Sequence, residues 1–278
     1  MSSDTLAVND TLAQHSESGG SDWILHHIMD ANYLDFEPFG KIYLPQLELF
    51  GIDISITKHV FFMWVVTLIL IILLSSVAKS YRKSLVPRGL TNFFEIIIVF
   101  IRDDIVKSTI GYGYERFLPY LLTIFFFILF SNFIGLVPFS ATVTSNIAVT
   151  ATLAGFTFFA TQIGGIMHHG FFGYFKGLLP QGMPVALLPL IIIVEILGLF
   201  TKPFALCIRL FANMTAGHVV IFSLIGLIFI MQTPFVAPVS VGFALFIYLL
   251  EILVALIQAY IFTMLSSLFI SMAVHQEH

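Results

Sequence analysis

Charged residues are scarce in this chain: 10% of its 278 positions are Asp, Glu, Lys or Arg, where soluble globular proteins carry about 25%. With 58% hydrophobic and 15% aromatic residues and a mean hydropathy of +0.99, that deficit excludes an ordinary water-facing domain. Cysteine is nearly absent. Cys207 alone cannot form an internal disulfide and reads as a small buried apolar residue. No signal peptide is expected, because residues 1–22 are polar and have no apolar core region. No internal repeat is evident. The pairs His26–His27 and His168–His169 have no Cys or carboxylate at ligand spacing, so no metal site and no cofactor are expected. The Phe-rich runs belong to lipid-facing and packing surfaces rather than to nucleic-acid platforms. Asn213-Met214-Thr215 matches a glycosylation sequon, but it lies inside an apolar run and is expected to be unmodified.

Long hydrophobic runs are what the chain has instead. Residues 59–78 are long enough to cross a hydrocarbon core of about 30 Å. The stretch 90–108 repeats Phe93, Phe94, Ile97, Ile101 and Ile105 at helical spacing, interrupted by Glu95, Arg102, Asp103 and Lys107. It reads as an amphipathic helix on the membrane surface. Residues 117–137 cross back, 138–145 turn, and 147–167 return, with Ala151, Gly155, Ala160 and Gly164 offering close helix packing. A loop is expected over "HHGFFGYFKGLLPQG". Two stretches follow, 184–230 and 239–274, separated by a turn with Pro234 and Pro238. As helices they would be roughly 70 and 54 Å long. Pro203 can kink a membrane helix without ending it. The expected fold is therefore an all-α integral membrane protein of about five membrane-embedded helices plus an amphipathic surface helix, the last two helices long and strongly tilted. Residues 1–58 form a polar N-terminal segment, disordered over 1–22 and with a short interfacial helix in "WILHHIMD"; residues 59–278 form the membrane-embedded domain.

Charge asymmetry orients the chain. Lys79, Arg82, Lys83 and Arg88 directly follow the first span, which places that end in the cytoplasm. The acidic N-terminal segment then lies outside and the C-terminus in the cytoplasm.

Between residues 117 and 276 the formal charges are Lys176, Glu195, Lys202, Arg209 and Glu251. An arginine at bilayer depth costs about 2.5–3.5 kcal/mol on insertion scales, and it cannot escape by deprotonating. Such residues mark ion or proton pathways by default. Glu195, Lys202 and Arg209 are spaced seven apart, with Asn213 one turn further, so they form one polar stripe. Glu251 and Gln258 are also seven apart. Antiparallel helices put Gln258 at the depth of Arg209 and Glu251 level with His218. Two polar routes result: Glu195 from the cytoplasmic side and His218 with Glu251 from the outer side, separated by Arg209. Histidine exchanges protons near neutral pH. Two buried structural ion pairs, Glu195–Lys202 and His218–Glu251, are the plainer alternative. A self-contained secondary transporter with Arg209 as its ligand is another, and a membrane scaffold a third; transporters usually carry internal repeats and broken helices.

The string "RLFANMTAGH" from Arg209 to His218, preceded by "KPFALCI" and followed by "EILVALIQAY", resembles subunit a of F-type ATP synthases. "SNFIGLVP" and "TSNIAVTATLA" extend the resemblance over about residues 59–275. It implies a proton-translocating stator subunit, in which Arg209 faces a rotating ring of c subunits. Glu195, Glu251 and Gln258 match the family's polar positions. Peripheral-stalk b subunits and membrane lipid are the further implied partners, and a bacterial inner membrane the location. Some bacterial members carry Glu at the position of His218 and His at that of Glu251; this chain has the reciprocal arrangement, as mitochondrial members do. The exchange keeps a His–Glu pair across two helices. The resemblance implies no covalent chemistry in this chain, and the coupling ion, H⁺ or Na⁺, is bound by a carboxylate on another chain.

Overall fold

The computed structural model describes residues 33–35, 41–45, 48–49, 52–53, 55–83, 89–137, 140–177, 188–231, 233 and 235–275. The disordered tail and the interfacial helix expected before residue 31 lie outside these, as does the loop after Gly177. Two short antiparallel hairpins come first. β1 (Tyr33–Asp35) pairs with β2 (Lys41–Tyr43), and β3 (Glu48–Leu49) with β4 (Ile52–Asp53). They precede the helical body without changing its all-helical character.

Five helices are long and apolar enough to cross a membrane. They are α1 (Lys58–Lys83), α3 (Leu118–Gly135), α4 (Ile147–Gly177), α5 (Leu188–Met231) and α6 (Val236–Val274), with α2 (Leu90–Phe100) between the first two. α3 is the central element, and Leu121, Ile124, Phe126, Ile128 and Leu129 are buried along it. α1 covers one side of it, Phe94 of α2 packs on its Phe126, and α6 covers another side. The remaining faces are exposed and apolar, for example Trp64, Leu68, Ile71 and Ile72 on α1. In a soluble protein patches of this kind would mark an interface or aggregation; in a bilayer they are the solvent-compatible surface. α5 has 44 residues and α6 has 39, about 66 and 58 Å. Neither can stand upright within a core of about 30 Å, so both are strongly tilted. α5 continues through Pro203 without ending.

The expected surface helix is more firmly seated than its sequence suggests. After α2 the chain continues as a π-helical segment, Ile101–Lys107, closed by one α-helical turn, Ser108–Ile110. In a straight α-helix Ile110 would lie two and a half turns beyond Ile101, on the opposite side. The under-wound segment re-phases the face, and Phe94, Ile101, Ile105 and Ile110 are all buried. Arg102 stays on the polar side, where both its Nε and Nη2 donate to the Asp103 carboxylate at 2.8 Å. Those hydrogen bonds hold the Asp103 carboxyl below the usual carboxylate range.

The loop expected after residue 167 is helical to Gly177, interrupted at Gly170 (φ 71°, ψ 165°). This backbone region is essentially open to glycine alone. The break folds Tyr174 back until it is 1% exposed, against Gly165, where any Cβ would overlap its ring. Of the small residues expected to permit close packing, Gly164 does face Phe117 and Val274, whereas Gly155 borders open space. Gly170→Ala should therefore destabilise the subunit by about 1–3 kcal/mol. A lowered unfolding temperature of the detergent-solubilised assembly would show it, and an unchanged temperature would contradict the role given to this break.

Candidate functional site: two polar clusters and an exposed arginine

α5 and α6 form an antiparallel hairpin, and their polar residues meet in register. Asn213 Nδ2 donates to Gln258 Oε1 at 2.8 Å. Five residues further along α5, His218 Nδ1 is 3.8 Å from Glu251 Oε1. Gln258 is 2% exposed and Glu251 5%. Gln258 thus sits opposite Asn213, one turn from Arg209 rather than level with it.

The seam that buries α5 runs through Leu206, Cys207, Leu210 and Met214. Arg209 lies off that seam. It is exposed, as are Ala205, Ala212 and Ala216, its neighbours along the same helical face. No acidic side chain among the described residues lies within ion-pair distance of it. A permanent guanidinium charge is thus displayed without an ion-pair partner among the described residues.

Around His218 and Glu251 the structure adds residues that sequence reasoning missed. Thr142, in the turn between α3 and α4, hydrogen-bonds His218 Nε2. In the same turn Thr144 Oγ1 donates to Asn132 Oδ1 at 2.6 Å, and Ser145 Oγ lies 3.4 Å from His59 Nε2 at the start of α1. Three neighbouring hydroxyls thus tie the turn to α5, α3 and α1. Both carboxyl oxygens of Glu251 are buried without a hydrogen bond. Gly217 packs directly on that carboxyl.

At the other end, Glu195 and Lys202 line one cavity of about 520 Å³, together with Thr161 and Gln162 of α4 and Ser271 and His275. Glu195 and Lys202 do not form an ion pair among the described residues; Lys202 Nζ instead lies 5.7 Å from the ring centroid of Phe269. The seven-residue stripe was legible in the sequence, but the facing wall from α4 and the end of α6 was not, because Thr, Gln and Ser carry no charge signal.

These features define a class: a multi-pass helical membrane protein that carries a polar cluster at each end of its last two helices and an exposed arginine between them. The family model for the ATP synthase A chain matches residues 60–271. The chain is 56% identical over 258 residues to ATP synthase subunit a of Chloroherpeton thalassium, covering 91% of this chain and 77% of that one. It is 52% identical to ATP synthase subunit a 2 of Prosthecochloris aestuarii, covering 98% and 86%. Identity to ATP synthase subunit a of Anaeromyxobacter dehalogenans is 49%, covering 92% and 71%. The chain belongs to the ATP synthase A chain family.

Proposed function

We propose that this chain is the proton-translocating stator subunit in the membrane sector of an F-type ATP synthase of a bacterial inner membrane, working against a ring of c subunits. The observation that carries this reading is Arg209, a permanent charge exposed in an apolar helix with no acidic partner among the described residues. A charge so placed calls for a carboxylate supplied by another chain.

In this reading a proton enters from the outer side at His218 and Glu251 and neutralises a carboxylate on a c subunit. The neutral carboxyl tolerates lipid, so the ring carries it through almost a full turn. It then reaches the cavity lined by Glu195, on the cytoplasmic side, and releases the proton there. Asn213 and Gln258 hold α5 against α6 beside the arginine. Arg209 stabilises each carboxylate as it passes in its charged form. Two unit charges about 4 Å apart at an effective dielectric near 20 attract by roughly 4 kcal/mol, equivalent to about 3 pKa units. This is enough to force deprotonation and to block direct passage between the two clusters. Each proton contributes about 2.3 kcal/mol per 100 mV of membrane potential. The b subunits and membrane lipid cover the remaining exposed faces.

Ala212 lies three residues beyond Arg209 on the same helical face and is exposed, which provides the test. Ala212→Cys, in assembled membranes treated with a mild oxidant, should form a disulfide to a cysteine introduced beside the ion-binding carboxylate of a c subunit. The native Cys207 is buried and serves as the background control. Absence of any c-subunit adduct in an assembled complex would overturn the placement.

A further inference from the structure

The end of α6 makes two side-chain contacts to the segment that follows α2. Ser271 Oγ donates to the Thr109 carbonyl at 2.6 Å, and His275 Nε2 lies 2.7 Å from the Ile110 carbonyl. These carbonyls close a helical segment just before Gly111 (φ 69°), where helix ends leave acceptors without intrahelical partners. A carbonyl can only accept, so His275 Nε2 carries the hydrogen and Nδ1 is the basic atom of the neutral ring. Nδ1 makes no hydrogen bond among the described residues. The His275 side chain is exposed and lines the cavity that holds Glu195. His168 of α4 stands beside it, with ring centroids 6.0 Å apart. His169 is bound to the Val274 carbonyl at 2.9 Å.

Capping Ile110 needs a donor and nothing more; an amide would serve. A histidine adds a nitrogen that gains and loses a proton near neutral pH. That addition matters where it stands. At pH 8 a single group draws protons from bulk water at no more than about 10² per second, taking a diffusion-limited constant on the order of 10¹⁰ M⁻¹ s⁻¹. A carboxylate inside a cavity presents a smaller target still. An imidazole at the mouth can be loaded by buffer molecules, which are far more abundant than free protons.

We propose that His275, with His168 beside it, is a proton-collecting site at the mouth of the Glu195 cavity. In ATP-driven pumping, His275 Nδ1 takes a proton from a buffer acid; that proton passes through the cavity to the Glu195 carboxylate, leaving neutral imidazole and a carboxylic acid. In synthesis the same atoms run in reverse. Among the described residues, the titratable side chains around this mouth are His168, His169 and Tyr174 from α4 and Glu195 and Lys202 from α5. Ser108–Ile110 presents backbone carbonyls to it. The inference rests on reading Glu195 as the cytoplasmic end of the proton route.

The test uses the assembled enzyme in inverted membrane vesicles. His275→Gln keeps an N–H donor for Ile110 but cannot titrate. It should lower ATP-driven proton uptake several-fold at pH 8 in a weakly buffered medium and leave it near parental at pH 6. His168→Gln/His275→Gln should be slower still. Added imidazole buffer should restore the pH 8 rate, a rescue that a purely structural loss would not show. Parental uptake at pH 8, or a deficit that imidazole leaves unchanged, would overturn the proposal. Arg209→Ala is the separating arm. If it pumps normally, the underlying proton-route reading fails; if it is inactive while His275→Gln is parental, the collecting site alone fails.

Discussion

Arg209→Ala is expected to abolish ATP-driven proton pumping while leaving the subunit in the membrane. The side chain is exposed and makes no intrachain ion pair among the described residues, so its removal uncouples nothing inside the fold. Helix α5 is anchored by Leu206, Leu210 and Met214 on a different face. In the proposed mechanism, what disappears is the attraction to a passing carboxylate, roughly 4 kcal/mol at an effective dielectric near 20, equivalent to about three orders of magnitude in rate or equilibrium. Two readouts should move in opposite directions. Acidification of inverted vesicles on ATP addition, followed with a fluorescent pH probe, should vanish. Passive proton leak through vesicles stripped of the soluble catalytic part should rise, because the barrier between the two polar clusters is gone. Arg209→Lys should also pump poorly: an ammonium is a point charge that deprotonates in a low-dielectric setting, whereas a guanidinium does not. Normal pumping by the alanine variant would sink the mechanism, and absence of added leak would sink the barrier role.

The legible part of this molecule was the part written in charge and periodicity. Charges seven apart in an apolar helix share a stripe, so the spacing of Glu195, Lys202 and Arg209 alone groups them. The pairing of two antiparallel helices then placed Glu251 level with His218, and the two stand 3.8 Å apart. Gln258 fell one turn from its expected level, opposite Asn213. Helix spacing fixes positions along one helix, but the connecting turn and the packing of small residues set the offset between two.

Less was legible where neutral side chains or backbone did the organising. Thr142, Thr144 and Ser145 look like ordinary turn residues, yet each reaches a different helix. Gly170 reads as one more loop glycine, yet its φ of 71° returns Tyr174 to the cavity. The π-helical segment at Ile101–Lys107 has no simple sequence marker, since it is imposed by the need to bury Ile101 and Ile110 on one face. A carbonyl that needs a cap is invisible in a sequence, so His275 could not be connected to Ile110 by spacing.

Gly217 carries the second large expected effect. A Cβ added there would lie 2.7 Å from Glu251 Cδ and would overlap the carboxyl oxygen. Glu251 has nowhere to withdraw: it is 5% exposed, with Ala255 fully buried one turn below it on the same helix. Gly217→Ala must therefore push the carboxyl away from His218 or part α5 from α6. Overpacking of this kind costs about 1–3 kcal/mol, which lowers a rate that depends on the pair by about 5- to 150-fold. Gly217→Val should be worse. The compensating change follows from the same geometry. Glu251→Asp draws the carboxyl back by one methylene. In the parent this lengthens the gap to His218 and should slow pumping; in Gly217→Ala it relieves the overlap and should speed it. A reversal of sign for one substitution in two backgrounds is what direct contact produces, since sites without contact contribute additively. Vesicle acidification, normalised to the amount of assembled subunit, measures all four combinations. Parental pumping by Gly217→Ala, or Glu251→Asp equally harmful in both backgrounds, would show that the outer route does not depend on the His218–Glu251 spacing.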